Sequence, residues 1–303
     1  MSRGHLAVLA AAVLFGTTGT AQVIGAGEVA PWVTGAFRLI VGGPVLLLFN
    51  LVLVRRKQKT CPAGKPGTAV WLIPLSSAGV VLFQFCFFEG VSRTGVATGT
   101  IVAIGSSPII AGLLGFIFFR ERLDLKWAFA TALSISGCSV LVLASGEVSI
   151  DRIGVLTSLL AGLGYAVYVV TSRAIVRTVA PSSAVAVILC IGAVFMVPFL
   201  VFADLSGLSN PGVVATLIYL GVFATAFSYL LLAKGLVSID VAGASVLLLA
   251  EPVVGSLLGI FLLDERFTLI SASGILLVLA GFVVVSVRNS GSRSSSISGP
   301  GKA

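Results

Sequence analysis

Two ionisable residues, Arg38 and Glu251, stand near the middle of long apolar stretches of the sequence. A charge inside a membrane costs about 2.5 to 3.5 kcal/mol on insertion scales, so each residue needs a physical reason to be there. An ion pair between them would lower the cost of both charges, and a zwitterionic solute could compete with either partner. In the alternative, Arg38 reaches toward water or caps backbone carbonyls, and Glu251 is a neutral, protonated acid. The two residues therefore predict either a binding site for a small solute or two structural groups.

Two prolines, Pro108 and Pro252, occupy similar positions within their own apolar stretches. Each removes a helical hydrogen bond and leaves carbonyls without donors, which a membrane tolerates only against protein or a watery cavity. We therefore expect both prolines at the wall of a cavity. The hydroxyl side chains expected beside that cavity are Thr17, Thr18, Ser107 and Ser245. For any single hydroxyl, a hydrogen bond to its own helix is the competing explanation.

The elements that must position these residues are transmembrane helices. Hydrophobic residues make up 57% of the 303 positions and charged residues only 10%, so water cannot be the solvent for most of the surface. Apolar stretches of about 20 residues follow one another, which indicates spanning helices rather than the alternating strands of a β-barrel. The predicted fold is an all-α membrane protein with ten spans, at residues 5–24, 30–54, 69–91, 95–119, 126–145, 153–173, 181–203, 211–234, 240–263 and 267–287.

Lysine and arginine are distributed unevenly between the two sets of loops. With the N-terminus inside, the inner segments hold 15 of these residues and the outer loops hold 3. This asymmetry follows the positive-inside rule and predicts that both termini are cytoplasmic. It also accounts for the net charge of +8 without nucleic acid, which is not an expected partner.

The sequence repeats itself at a spacing of 144 positions. Residues 97–142 aligned on 241–286 share 13 identities in 46 positions. The most informative identities are Pro108 with Pro252 and Glu121-Arg122 with Glu265-Arg266. Because half of ten spans is an odd number, the second half must enter the membrane from the opposite side. Inverted repeats of this kind are typical of carriers that work by alternating access.

The repeat divides the chain into predicted units. Residues 1–145 and 146–288 form two inverted five-helix repeats around a central cavity, and residues 289–303 form a disordered cytoplasmic tail that is poor in apolar residues. Spans 5 and 10 carry almost no polar groups beyond Ser and Thr at mid-span. We therefore expect these two spans at the periphery.

Several short motifs recur in the two halves. They are Ser107-Pro108 with Glu121-Arg122, Glu251-Pro252 with Glu265-Arg266, Leu14-Phe15-Gly16-Thr17 with Gly164-Tyr165-Ala166-Val167, and Phe37-Arg38-Leu39. On these motifs the chain resembles the EamA branch of the drug/metabolite transporter superfamily, over nearly its whole length. The seventh span lacks an arginine equivalent to Arg38, so the halves have diverged.

Within that branch the chain is most similar to bacterial amino-acid exporters, including the aromatic amino-acid type. The resemblance implies a multi-pass secondary transporter of the bacterial inner membrane that exports small metabolites, with neutral or aromatic amino acids expected first. Drugs or nucleoside-like metabolites are the alternative substrates, since one fold serves many solutes. The resemblance also places a set of aromatic residues and one amide around the cavity. These are Phe15, Phe83, Gln84, Phe87, Tyr165, Tyr168 and Phe227.

Other classes of function fit the sequence poorly. An intramembrane enzyme needs paired catalytic groups, and the single histidine, His5, lies at the N-terminus. A channel needs a ring of polar residues along one axis, which is not evident. No phosphate-binding loop, cofactor site or metal site is evident, and the four cysteines show no paired spacing. The expected partners are a small-molecule substrate and the lipid bilayer; a proton as coupling ion, and a monomer or a homodimer, stay open.

Overall fold

The computed structural model describes residues 2–54, 69–94, 96–121, 123–145, 151–262 and 268–291. Over these residues the chain is all-helical and contains no strand. The helices are α1 (Arg3–Gly25), α2 (Pro31–Phe49), α3 (Leu72–Thr94), α4 (Val96–Phe119), α5 (Leu125–Ser145), α6 (Arg152–Ile175), α7 (Pro181–Met196), α8 (Pro211–Gly221), α9 (Ser228–Leu236), α10 (Val241–Leu248), α11 (Ala250–Leu262) and α12 (Leu269–Gly291).

Eight helical segments of the described chain are long and apolar enough to cross a membrane. The apolar parts of α5 and α12, Leu125–Leu141 and Leu269–Val284, are shorter. The all-helical membrane fold is therefore confirmed. That α5 and α12 also cross the membrane, which would make ten crossings, stays a prediction from the sequence. Helix α12 runs to Gly291, so it overlaps the start of the predicted tail, and residues 292–303 lie outside the described residues.

Two predicted spans are interrupted in the structure. The eighth consists of α8 and α9, joined by a π-helical segment, Val222–Phe227. The ninth consists of α10 and α11, which meet at Leu249. Because Pro252 has no N–H to donate to a carbonyl one turn earlier, the helix breaks just before it. Pro108, in contrast, lies inside the continuous helix α4. The two prolines are therefore not equivalent bends.

A small number of close helix crossings hold the bundle together. Helix α6 packs on α3 and α4, α1 packs on α9 and α11, α2 packs on α7, and α5 packs on α12. Glycines allow these crossings: a Cβ added to Gly79 would lie 2.7 Å from the carbonyl oxygen of Gly164, and one added to Gly137 would lie 2.7 Å from that of Gly274. Small residues let backbones approach in this way in membrane bundles, where packing replaces the hydrophobic effect.

Contacts between helix ends define two faces of the bundle. At the end where α1 begins, which we call the N face, the Ser182 hydroxyl donates to the Asn50 side chain at 3.1 Å and joins α7 to α2. At the other end, which we call the opposite face, the Asn210 amide lies 3.4 Å from the Glu28 carboxylate. Each face is thus held by polar contacts between residues that are distant in the sequence.

Candidate functional site

A cavity of about 360 Å³ lies among α1 to α6 and α11. This volume falls within the range of small-molecule sites, about 300 to 1,000 Å³. Its lining residues all lie in the middle or the opposite-face half of their helices, and its mouth lies near the exposed Gly27. The cavity therefore reaches from mid-bundle to the opposite face.

Arg38 lines this cavity and is only 2% exposed. Its Nε donates to the Thr225 hydroxyl at 2.9 Å, and one terminal nitrogen donates to the carbonyl oxygen of Ala224 at 3.0 Å. Both acceptors belong to the π-helical segment, and segments of this kind are frequent at functional sites. Because a guanidinium has five N–H donors, donors remain for a solute in the cavity.

Glu251 stands in the first turn of α11 and lines the same cavity. Of the alternatives that the sequence left open, the ion pair between Glu251 and Arg38 is not formed: in the described part of the chain, the ion pair within 4.0 Å joins Arg93 and Glu89 at the surface. The reason is that the π-helical segment holds the Arg38 guanidinium through two hydrogen bonds. An acid and a base therefore line the same cavity without forming a direct ion pair.

Aromatic side chains form one wall of the cavity. The ring of Phe83 lies 5.3 Å from that of Phe87 and 5.1 Å from that of Tyr165, and Phe15 meets Tyr165 edge-on at 6.4 Å. Tyr229 supports this wall from behind, with its ring perpendicular to Phe15 at 5.2 Å. Edge-to-face and offset contacts are the preferred arrangements of aromatic rings, so the wall is well packed.

Two further polar groups of the cavity wall are buried. The hydroxyls of Thr18 and Tyr165 line the cavity and have no hydrogen-bond partner among the described residues. Buried polar atoms are normally hydrogen-bonded, so each hydroxyl is available to a bound solute or to water.

Other residues predicted at the cavity do not line it. Thr17 donates to the Leu14 carbonyl and accepts from Tyr219, while Ser107 and Ser245 donate to carbonyls of their own helices. The remaining four are packed within the bundle: Pro108 inside α4, Gln84 fully buried on α3, Tyr168 against Tyr229, and Phe227 against Phe49. For the two serines, the competing explanation by own-helix hydrogen bonds is correct.

The cavity also contains residues that the sequence did not indicate. Cys138 and Leu141 of α5 line it, so the prediction that span 5 lies at the periphery is wrong. Helix α5 reaches the cavity with apolar side chains, whereas the prediction weighed only polar ones. Thr100 on α4 and Gln22 on α1 line the cavity closer to the opposite face.

The described residues show neither a metal-binding cluster nor a disulfide. The described residues contain no group of three or more His, Cys, Asp and Glu side chains that could hold a metal ion. Cys86, Cys138 and Cys190 are free thiols, and Cys61 lies outside the described residues. The repeated Arg122, Glu265 and Arg266 lie outside them as well.

Comparison with known proteins assigns the chain to a family. The profile of the EamA-like transporter family matches residues 2–143 and again residues 152–287. The chain belongs to the EamA-like transporter family. It is therefore a membrane transporter of the drug/metabolite type, and the family predicted from the sequence motifs is confirmed.

Three similar proteins each match more than nine tenths of this EamA-like protein. It is 38% identical over 281 residues to the uncharacterized transporter YwfM of Bacillus subtilis, with 93% of each chain covered. It is 24% identical to the uncharacterized inner membrane transporter YicL of Salmonella typhimurium, covering 94% and 95% of the two chains. A crystal structure with 21% identity matches at a TM-score of 0.79, covers 95% and 97% of the two chains, and shows the same fold.

Proposed function

We propose that this EamA-like transporter exports neutral and aromatic amino acids. The observation that carries the proposal is the placement of Arg38 and Glu251 in one cavity, without an ion pair between them, beside an aromatic wall. Each charge within the apolar bundle calls for a partner, and a zwitterion supplies one of each sign. The site therefore suits a solute with a carboxylate and an ammonium group.

The two ends of the cavity site suit different parts of an amino acid. The free donors of Arg38 bind the carboxylate, which a guanidinium fork recognises in a planar, two-bond geometry. Glu251 binds the ammonium group. The side chain of the amino acid lies against Phe83, Phe87 and Tyr165, where stacking and edge contacts favour aromatic rings.

Alternating access of two inverted five-helix repeats, residues 1–145 and 146–288, moves this solute. Packing supports the proposal: α3 and α4 of the first repeat pack on α6, the first helix of the second repeat, and α9 and α11 of the second repeat pack in the same way on α1, the first helix of the first repeat. In addition, α2 pairs with α7 and α5 with α12, which are equivalent helices under the repeat. The two separate matches of the family profile point the same way.

The proposed topology assigns the observed state a place in the export cycle. With both termini in the cytoplasm, the N face is cytoplasmic and the cavity opens outward, which is the state that releases an exported solute. A relative described as an inner membrane transporter supports the location in the bacterial inner membrane. Binding of the solute from the cytoplasm then requires a second state, in which the cavity opens at the N face.

Uptake into proteoliposomes tests this function. Labelled phenylalanine, leucine, phenylethylamine, phenylpropionate and a nucleoside are offered with and without a pH gradient. We expect saturable transport of the two amino acids and weak transport of the two analogues that lack one charge. Arg38→Lys and Glu251→Gln should each lose most of this activity, and Glu89→Gln, at a partly exposed acid outside the cavity, should not.

Three outcomes of the uptake experiment would change or extend the proposal. Transport of the nucleoside but of neither amino acid would assign the transporter to other metabolites. Stimulation of uptake by a pH gradient, lost in Glu251→Gln, would identify the proton as the coupling ion. Equal transport of phenylalanine and phenylethylamine would show that Arg38 does not bind a carboxylate.

A further inference from the structure

The turn between α9 and α10 is clamped from both sides at the N face. The two carboxylate oxygens of Glu121 accept hydrogen bonds from the backbone N–H groups of Val241 at 3.0 Å and Ala242 at 3.2 Å. On the other side of the turn, the Arg173 guanidinium donates to the carbonyl oxygen of Leu236. The end of α4 and the end of α6 thus hold the end of α9 and the start of α10.

The backbone is bent to bring Glu121 to this position. Arg120 has a φ of 54°, the only positive value for a non-glycine residue in the described chain. Its N–H bonds the carbonyl oxygen of Phe116 at 3.0 Å, and the N–H of Glu121 bonds that of Gly115 at 3.3 Å. Helices commonly end in this way at a glycine, and an arginine there costs about 1 to 3 kcal/mol in general. Strain of this kind persists where the surrounding contacts require it.

The clamp completes the capping of α10. Asp240 accepts a hydrogen bond from the Gly243 N–H at 3.1 Å, and Glu121 satisfies the two N–H groups before it. Close packing seals the same region, because a Cβ added to Gly4 on α1 would meet the Ser238 hydroxyl. The N face is closed around this turn while the cavity reaches the opposite face.

We propose that Glu121 and Arg173 form the N-face gate of the transport cycle. The gate holds the α9–α10 turn while the cavity is open to the opposite face and releases it when the N face opens. Helix α10 leads through Leu249 directly to Glu251, so the gate and the cavity share one interrupted span. This inference rests on the proposed alternating access but not on the identity of the substrate.

Cysteine labelling tests the gate without any substrate. The reporter is Ser245→Cys in a chain whose natural cysteines are replaced by serine; Ser245 is 2% exposed and lies one turn after Val241. A membrane-impermeant maleimide is applied separately to each face of sealed vesicles. Because the bonds to a charged carboxylate are lost, we expect Glu121→Ala to raise the labelling rate from the N face by about tenfold. Labelling from the opposite face should not rise.

Three further variants complete the labelling experiment. Arg173→Gln should raise N-face labelling as well, and Glu89→Ala, which removes a partly exposed acid at the other end of the bundle, should leave it unchanged. Glu121→Gln keeps one acceptor oxygen and should give an intermediate rate, which covers the case in which Glu121→Ala does not fold. Unchanged labelling in folded Glu121 and Arg173 variants would overturn the gate. A raised rate in a protein that transports no amino acid would leave the gate standing and refute only the substrate.

Discussion

The Arg38 Nε atom donates a hydrogen bond to the Thr225 hydroxyl at 2.9 Å, across a sequence separation of 187 residues. This bond fixes the orientation of the guanidinium plane, because the neighbouring carbonyl of Ala224 accepts a second bond at 3.0 Å. A cavity arginine on α2 is therefore positioned by the π-helical segment between α8 and α9.

Replacing Thr225 by valine removes the hydroxyl and keeps the shape of the side chain. A hydrogen bond to a charged group contributes about 1.5 to 3 kcal/mol, so we expect the KM for phenylalanine to rise about tenfold. Phenylethylamine, which has no carboxylate, should be affected little. Thr225→Ser keeps the hydroxyl and should restore the KM. An equal loss for both compounds would mean that Thr225 has a structural role alone.

Replacing Glu251 by glutamine preserves the size of the side chain and removes its charge. Because a mid-membrane acid can gain or lose a proton or a partner, we expect a folded protein with altered transport or altered pH dependence. Transport rates measured from about pH 5 to about pH 8 check this. Rates that match the wild type throughout that range would make Glu251 a structural residue.

Replacing Gly137 by alanine should destabilise the contact between α5 and α12. The added Cβ would lie 2.7 Å from the carbonyl oxygen of Gly274. Relieving this contact requires movement of a helix backbone, which is unfavourable. We expect a loss of about 1 to 3 kcal/mol, measured as a lower thermal midpoint in detergent. The matched control is Gly19→Ala, because no atom lies within 4 Å of a Cβ at that position. Similar midpoints for the two variants would contradict the close crossing.

The stability contributed by Glu121 should fall as the pH rises. Burial raises the pKa of its carboxyl above the ordinary 4.5, and the nearby Asp240 raises it further, against the lowering effect of two backbone N–H groups and Arg173. The folded protein therefore holds this proton more tightly than the unfolded chain. Its contribution is fully present below 4.5 and is lost as the pH rises through the raised pKa.

Thermal midpoints of the wild type and Glu121→Gln test this linkage. As the pH rises from below 4.5, the thermal midpoint of the wild type should fall relative to that of Glu121→Gln. Above the raised pKa, the difference between the two midpoints should stay constant. A difference that grows in favour of the wild type with rising pH would show that the hydrogen bonds outweigh burial.

Reporter fusions test the proposed orientation. The uneven distribution of 15 and 3 basic residues predicts that reporters fused to either terminus are cytoplasmic. A periplasmic C-terminus would remove the even number of crossings and with it the inverted repeat.

The cost of burying a charge made the cavity partly predictable from the sequence. Arg38 and Glu251 stood out because each lies near the middle of a long apolar stretch. The partner of Arg38 could not be predicted, because Thr225 follows an apolar stretch with no signal for a π-helix. Ser107 and Ser245 were misplaced because a hydroxyl on a helix satisfies itself on the preceding turn.

The π-helical segment sets the rotation of α9 relative to α8 within the eighth span. A π-helix is equivalent to one residue inserted into an α-helix, and each α-helical residue turns the chain by about 100°. Removing one residue from Val222–Phe227 would rotate α9 by that angle and take Tyr229 from its place behind Phe15. A helix without the insertion would support the aromatic wall of the cavity with a different set of side chains. A single inserted codon is therefore enough to change the packing behind this wall of the cavity.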